Sequence, residues 1–134
     1  MSGCVLDTDV VIAALDRRDP HHSRAARAIT SMLEDGVPLL LSLINYAETL
    51  VRPAENETSL RTAVDALSAL SIQLVAPSPA IALGAARHRS LGVSLADGFA
   101  LATADAYDAH VASFDRRVRR LLPKLRLELA PQLK

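Results

Sequence analysis

The stretch that decides the fold is residues 3–9, with the sequence GCVLDTD. A short apolar run ends there at two carboxylates, Asp7 and Asp9, and Val10–Leu15 follows with the apolar character of a helix. In an open α/β sheet the ligand site lies beyond the carboxyl ends of the strands, so Asp7 is the first candidate for chemistry. Helix capping by Asp7 or Thr8 is an equal alternative, because both side chains accept hydrogen bonds from free helical N–H groups.

Length and composition predict one domain, residues 1–134, since 50% hydrophobic residues are enough to bury a core without disulfides. The single cysteine, Cys4, lies inside the first predicted strand and is expected to be a small buried hydrophobe, which fits a reducing compartment. The chain opens with no secretory leader, and no apolar run reaches the roughly 18 residues of a membrane span, so we expect a cytoplasmic protein with no membrane partner. Fifteen basic residues balance fifteen acidic ones, so nucleic-acid binding requires a local patch.

Apolar runs alternate with helical segments along the rest of the chain. The further predicted strands are Val37–Leu41, Ile72–Val75, His110–Phe114 and an edge strand at Leu125–Leu129. Capping and proline signals predict helices from Asp19-Pro20 to about residue 33, after Ser42, over about residues 60–70, after Ser78 and after Ser94, and a short one over residues 116–122. This alternation predicts an α/β fold with a parallel sheet that is covered on both faces.

Four acidic residues lie within otherwise apolar segments, which is an unusual setting because acids at the protein surface do not need apolar neighbours. They are Asp7, Glu48, Asp97 and Asp115. If they converge at one sheet edge, they repel one another unless divalent cations neutralise them. Ligands that are all oxygen favour Mg²⁺ or Mn²⁺. Zinc is improbable, because the one Cys and four His show none of the paired spacings of zinc sites.

Three of these acids also have local structural alternatives. Asp97 stands three residues after Ser94, which is a capping-box spacing, and an acid there favours the positive end of the helix. Glu48 has Arg52 one helical turn later as a possible ion-pair partner. Asp115 is also the residue type that ends a strand in a turn.

Four short motifs together resemble a known family. They are VLDTDVVI at residues 5–12, NYAETL at 45–50, LADGFALATA at 95–104 and ASFD at 112–115. In this order they resemble the acidic motifs of PIN-domain nucleases, and the short chain is most similar to VapC toxins of bacterial toxin–antitoxin pairs. By this resemblance Asp7, Glu48, Asp97 and Asp115 are the catalytic, metal-binding acids. Thr8 and Ser113 match family hydroxyl positions, whereas Asp9 departs from the family, which carries a small polar residue there.

The resemblance implies a three-layer α/β/α sandwich and hydrolysis of RNA by water that Mg²⁺ or Mn²⁺ activates. It also implies a VapB-like antitoxin that covers the site, and we expect a homodimer as well. Apolar helix positions such as Ala47, Leu50, Ala63, Leu67 and Leu70 offer a partner surface or, alternatively, part of the core.

Substrate binding requires positive charge, and basic residues follow Asp115 closely. They are Arg116, Arg117, Arg119 and Arg120, with Lys124 and Arg126 after them. This segment is either an RNA-binding patch or a solvated helix face. With 3% aromatic residues the chain lacks stacking platforms for single strands, so a structured RNA such as a tRNA or a ribosomal hairpin is the expected substrate.

Two other functions are compatible with parts of the sequence. Asp7 and Asp9 also resemble the motif of haloacid-dehalogenase-like phosphatases, with Asp7 as nucleophile and Asp9 as acid/base. Those enzymes need a lysine between their first and last acidic motifs, and the first lysine here is Lys124. The other alternative is a non-catalytic interaction module of the same fold, which metal-dependent RNA cleavage would exclude.

Overall fold

A computed structural model describes residues 2–134, and its sheet has four short strands. They are β1 (Cys4–Leu6), β2 (Leu39–Ser42), β3 (Gln73–Val75) and β4 (His110–Ala112). The strand order is β3-β2-β1-β4, and every neighbouring pair is parallel. The chain runs from β1 to β2 and β3 on one side of β1 and then crosses the sheet to β4 on the other side, so the strand order reverses between β1 and β4. Such a switch point opens a crevice at the carboxyl ends of the two strands that flank it.

Seven α-helices connect and cover the strands within residues 2–134. They are α1 (Thr8–Leu15), α2 (His22–Glu34), α3 (Leu43–Leu50), α4 (Glu57–Ala69), α5 (Pro79–Arg89), α6 (Leu95–Tyr107) and α7 (Arg116–Leu121). Single 3-10 turns lie at Pro53–Glu55 and Pro131–Leu133. The predicted serine caps are confirmed, because Ser42, Ser78 and Ser94 each accept a hydrogen bond from an N–H in the first turn of the helix that follows.

Alternate residues of the strands bury two separate cores, one on each face of the sheet. Leu6 and Leu41 point to a core shared with α1, α2 and α4, whereas Val5 and Val111 point to a core shared with α6 and α7. Helix α5 packs on the outside of α6. The predicted parallel sheet and the three-layer α/β/α arrangement are therefore confirmed.

Cys4 lies in β1 with 1% of its surface exposed. Burial raises the pKa of its thiol to about 12, which keeps the group neutral. The expectation of a small buried hydrophobe is confirmed.

The predicted edge strand Leu125–Leu129 is wrong over most of its length. The N–H groups of Leu125 and Leu127 donate to carbonyls of residues 121 and 122, and Arg126 has a φ of +58°, so this backbone forms a turn. Only Leu129 pairs with the sheet, through a single parallel bridge to Val111. The alternation of side chains predicted a strand. The backbone N–H groups instead donate to carbonyls at the end of α7, and these hydrogen bonds fix a turn conformation.

The start predicted for the second helix is also displaced. The carboxylate of Asp19 accepts from the N–H of His21 and forms a turn, and α2 begins only at His22 without a side-chain cap. Within residues 2–134, no helix has the length and apolar content needed to cross a membrane.

Gly98 lies where α6 crosses α5, and a Cβ atom there would stand 2.6 Å from the carbonyl oxygen of Ala85. We expect Gly98→Ala to lower the free energy of unfolding by about 1–3 kcal/mol, because two packed helix backbones must separate. If helix propensity were the only effect, replacing glycine by alanine would instead raise the free energy of unfolding by up to about 1 kcal/mol. Urea denaturation measures the difference. Gly84→Ala, whose Cβ would lie closest to the methyl of Ala102 at 3.1 Å, should cost less. If Gly98→Ala were more stable than the unmodified protein, α5 and α6 would be able to move apart at Ala85 without cost, which would contradict this prediction.

Candidate functional site

Asp7 is the first residue after β1 and the N-cap of α1. Only 2% of it is exposed, and both of its carboxylate oxygens accept hydrogen bonds. The N–H of Thr8 donates to Oδ1 at 2.9 Å, and the hydroxyl of Ser113 donates to Oδ2 at 2.8 Å. Leu6 and Ala112 are aligned in neighbouring strands, so Asp7 and Ser113 leave the sheet side by side. The structure thus brings together Asp7, Thr8 and Ser113.

Asp9 lies in the first turn of α1 and is partly buried. Its Oδ2 accepts a hydrogen bond from the N–H of Phe114 at 3.0 Å, which ties α1 to the loop after β4. Its Oδ1 is shielded from solvent and has no hydrogen-bond partner within residues 2–134. A buried carboxylate oxygen without a donor is costly unless a cation or water compensates it.

Asp115 is the N-cap of α7 and is held by the same loop. Its carboxylate accepts from the N–H groups of Arg117 and Val118 and from the Arg117 guanidinium, and its own N–H donates to the hydroxyl of Ser113. Ser113 therefore contacts both Asp7 and Asp115. Burial alone would raise the pKa of Asp115, but the hydrogen bonds from Arg117 and Val118 outweigh it and lower that pKa.

Asp97 forms the capping box that the sequence predicted. The N–H of Ser94 donates to its Oδ2, and the N–H of Asp97 donates to the Ser94 hydroxyl, both at 3.1 Å. Its negative charge also raises the pKa values of Asp7 and Asp9. Asp97 therefore caps α6 and lies near the other two acids at the same time.

Without a metal ion, the site raises the pKa values of two of its carboxyl groups, Asp7 and Asp9. Burial is the main cause that raises the pKa of Asp7 to about 8, and the charges of Asp9 and Asp97 add to it, against the hydrogen bonds from Ser113 and Thr8. Burial also raises the pKa of Asp9 to about 6, with smaller contributions from Asp115 and Asp97. Burial and neighbouring carboxylates thus oppose the ionisation of Asp7 and Asp9, which is the situation that a cation relieves.

Helix α3 presents Asn45 to this site, a residue that the sequence analysis did not select. Asn45 is fully buried, and its amide donates to the hydroxyl of Thr8 at 3.0 Å and to the carbonyl of Ala96 at 3.2 Å. It joins the first turns of α1 and α6, which carry Asp9 and Asp97. The available signal was an amide one turn before Glu48 in an otherwise apolar segment.

Glu48 lies on the same helix but is exposed. No hydrogen bond or ion pair joins its side chain to another group anywhere in residues 2–134, including the Arg52 that was its suggested partner. The structure therefore assembles Asp7, Asp9, Asp97 and Asp115 and leaves Glu48 at the surface.

The basic segment after Asp115 divides into two kinds of residue. Arg117 pairs with Asp115, and Arg119 donates to the carbonyl of Leu133 at 2.8 Å, so both guanidinium groups have structural partners. Arg116 and Arg120 are exposed, and neither makes an ion pair within the described part of the chain. Arg116 and Arg120 are thus the two of the four predicted RNA-binding arginines that are exposed and have no ion-pair partner in the described residues.

The donor set suits a hard divalent cation. Every candidate ligand is a carboxylate oxygen, and the unpartnered Oδ1 of Asp9 supplies a free one. Among residues 2–134, no group of three or more acidic, histidine or cysteine side chains is already arranged to hold a metal ion. Mg²⁺ needs only one or two carboxylates, because it keeps several waters. The residues present therefore fit such an ion.

Comparison with known proteins places this geometry in context. The family model described as the PIN domain matches residues 4–121. No curated protein matches the chain by sequence.

Three solved structures share its fold at low sequence identity. FitAcB from Neisseria gonorrhoeae is 22% identical with a TM-score of 0.70, and the match covers 96% of this chain and 97% of that chain. A toxin–antitoxin complex from Klebsiella pneumoniae is 23% identical with a TM-score of 0.64, over 84% and 87% of the two chains. VapC20 of Mycobacterium tuberculosis, a toxin that cleaves the sarcin–ricin loop, is 17% identical with a TM-score of 0.68, over 87% and 92%.

The raised pKa of Asp7 predicts how the stability of the metal-free protein changes with pH. Between the ordinary value of 3.8 and about 8, the folded protein holds a proton that the unfolded chain has released. The contribution of Asp7 to stability is therefore fully present below about pH 4 and is lost as the pH rises through 8. Asp7→Asn removes this loss, so in EDTA at pH 8 it should melt roughly 5–10 °C above the unmodified protein.

Thermal melting followed by circular dichroism, in EDTA, measures this effect. The difference should shrink towards pH 4. Asp65→Asn, at an exposed position on α4, is the matched control and should follow the unmodified protein at every pH. An Asp7→Asn protein that melts lower at pH 8 would mean that the buried carboxylate stabilises the metal-free fold.

Proposed function

Because the chain belongs to the PIN-domain family, we propose that it is a metal-dependent endoribonuclease and the toxin of a toxin–antitoxin pair. The observation that carries this proposal is the buried carboxylate of Asp7, which lies beside Asp9 and Asp97 at the switch point of the sheet. Toxins with this domain are generally nucleases, and the similarity of fold to VapC20 supports the same class of activity here.

The chain's own residues have distinct parts in this proposal. Asp7 is the central ligand, and the Thr8 N–H and the Ser113 hydroxyl fix its orientation. Asp97 and Asp115 are further ligands, each oriented by the helix that it caps. Asp9 holds the loop that carries Asp115 through the N–H of Phe114. Glu48 reaches the cation or its waters from the surface of α3, and this part of the assignment rests on the family motif alone.

The cofactor in this proposal is Mg²⁺ or Mn²⁺. When bound, the ion supplies the positive charge that activates water for attack on phosphorus and stabilises the departing oxygen. The carboxylates supply negative charge that keeps the ion in place, and the buried setting of Asp7 strengthens that attraction. No side chain of the protein needs to act as a nucleophile.

The proposed substrate is a structured RNA, such as a tRNA or a ribosomal hairpin, cut in the cytoplasm. Only 3% of the residues are aromatic, so stacking on single-stranded bases contributes little. VapC20, which shares the fold, cleaves a ribosomal hairpin by its description, and this supports the same substrate class.

The proposed partners are a cognate VapB-like antitoxin and a second copy of the chain. The similar structure from Klebsiella pneumoniae is a toxin–antitoxin complex, which supports a protein partner. Helix α3 and the residue after it expose Leu43, Ile44 and Val51 to solvent, whereas Ala63 and Leu67 are buried in the core. The exposed face of α3 is therefore better suited to a partner than α4 is.

Cleavage of RNA by the purified chain tests the proposed activity. We expect Mn²⁺ or Mg²⁺ to be required, EDTA to abolish cleavage, and Asp7→Asn to be inactive with either ion. The substrates are bulk tRNA and ribosomal RNA, analysed on denaturing gels. Asp65→Asn should cleave normally. Robust cleavage in EDTA would contradict the proposal, and a phospho-aspartate trapped at Asp7 would favour the phosphatase alternative.

A pair of variants separates the capping and metal-binding roles of Asp97. Asp97→Asn keeps an acceptor for the capping box and removes the charge, so it should retain or raise the melting temperature in EDTA, weaken Mn²⁺ binding and lower cleavage roughly 100-fold. Ser94→Ala breaks the capping box and keeps the charge. It should cost about 0.5–2 kcal/mol of stability and leave the cleavage rate of the folded enzyme close to normal.

Urea denaturation, Mn²⁺ titration and cleavage assays on both variants give the comparison. A destabilised Asp97→Asn protein with nearly normal activity would assign Asp97 to capping and leave the site without it.

A further inference from the structure

A basic groove lies between α2 and the C-terminal turn Pro131–Leu133, outside the acid site. Its volume is about 350 Å³, and its lining residues are Arg24, Arg27, Ala28, Ser31, Gln132 and Lys134. Three of these six side chains are cationic, and only one is apolar. None of the three ion pairs found within residues 2–134 involves Arg24, Arg27 or Lys134. The groove therefore contains three cationic side chains that form no ion pair with a carboxylate of residues 2–134.

One wall of the groove is held in place by two arginines. The carbonyl of Leu133 accepts from the guanidinium of Arg119 on α7 at 2.8 Å and from that of Arg24 on α2 at 3.5 Å. The side chain of Leu133 is buried in the core against α2. The C-terminal turn is therefore fixed between two helices, and the groove exists before any ligand binds.

The groove is connected to the acid site through Phe114. The guanidinium carbon of Arg24 lies 5.2 Å from the centre of the Phe114 ring, and His21 stacks on the same ring at 4.4 Å. The N–H of Phe114 donates to Asp9, and Asp115 is the next residue. Phe114 therefore contacts both Arg24, which lines the groove, and Asp9 of the acid site.

We propose that this groove binds a backbone phosphate of the RNA substrate, on the strand that flanks the cleaved bond. The assignment rests on the proposed nuclease function and adds the path of the substrate. Guanidinium groups bind phosphate oxygens through paired hydrogen bonds, and Arg27 lies within a helical turn of Arg24 on the same face. A helical peptide would need an apolar groove, and here Ala28 is the only apolar lining residue. RNA therefore fits the groove better than a protein partner does.

Binding of fluorescein-labelled bulk tRNA in EDTA, measured by fluorescence anisotropy, tests the groove without cleavage. We expect Arg27→Glu to weaken binding about tenfold and to lower the slope of log K against log salt by about 0.7–0.9. Arg27→Lys should lose less affinity than Arg27→Glu, because the positive charge remains although the paired hydrogen bonds of the guanidinium do not. Lys134→Glu should act in the same direction as Arg27→Glu. Arg61→Glu, at an exposed position on α4, makes the same change in net charge outside the groove and should have little effect.

The alternative results are distinguishable. If Arg27→Glu and Arg61→Glu bind tRNA equally well and metal-dependent cleavage is intact, the proposal that the groove binds phosphate is overturned. The proposed nuclease function is then unaffected. Loss of antitoxin binding by Arg27→Glu with normal tRNA binding makes the groove a protein site and also overturns it. If the unmodified chain neither binds nor cleaves tRNA or ribosomal RNA, the nuclease proposal and the groove fail together.

Discussion

The arrangement of this protein depends on a carboxylate that is buried where two parallel strands end. Asp7 is 2% exposed, and an isolated charge at such a position is costly. Two hydrogen bonds, from the Thr8 N–H and the Ser113 hydroxyl, reduce that cost without removing it. The remaining electrostatic strain makes the position suitable for a cation, and the fold retains it because both flanking strands are anchored in two cores.

The acids of the site are also structural residues. Asp7, Asp97 and Asp115 lie at the N-termini of α1, α6 and α7, where each accepts hydrogen bonds from backbone N–H groups. The positive ends of three helices therefore meet near the same crevice and partly offset the clustered negative charge. Capping and metal binding are thus compatible roles, since a carboxylate has more acceptor positions than its cap uses.

Phe114 connects the acid site to the rest of the surface. Its N–H fixes Asp9, and its ring packs against His21 and Arg24 of the segment that begins α2. A movement of α2 relative to the sheet would therefore shift the loop that carries Asp115. The loop that contacts Asp9 and carries Asp115 is therefore packed against His21 and Arg24, although neither of these residues contributes a carboxylate.

The sequence by itself determined the serine caps and the capping box at Asp97, because a cap depends on residues within one turn of each other. It also determined the alternating elements, from local periodicity, and through their alternation the parallel sheet. Tertiary structure decided the contacts between distant residues: Asp9 with Phe114, Asn45 with Thr8, and Arg119 with Leu133. It also left Glu48 exposed and made the segment before Leu129 a turn. These outcomes follow from the register of β1 against β4 and from the packing of α3, α7 and the C-terminal turn on the sheet. Local periodicity carries no information about either.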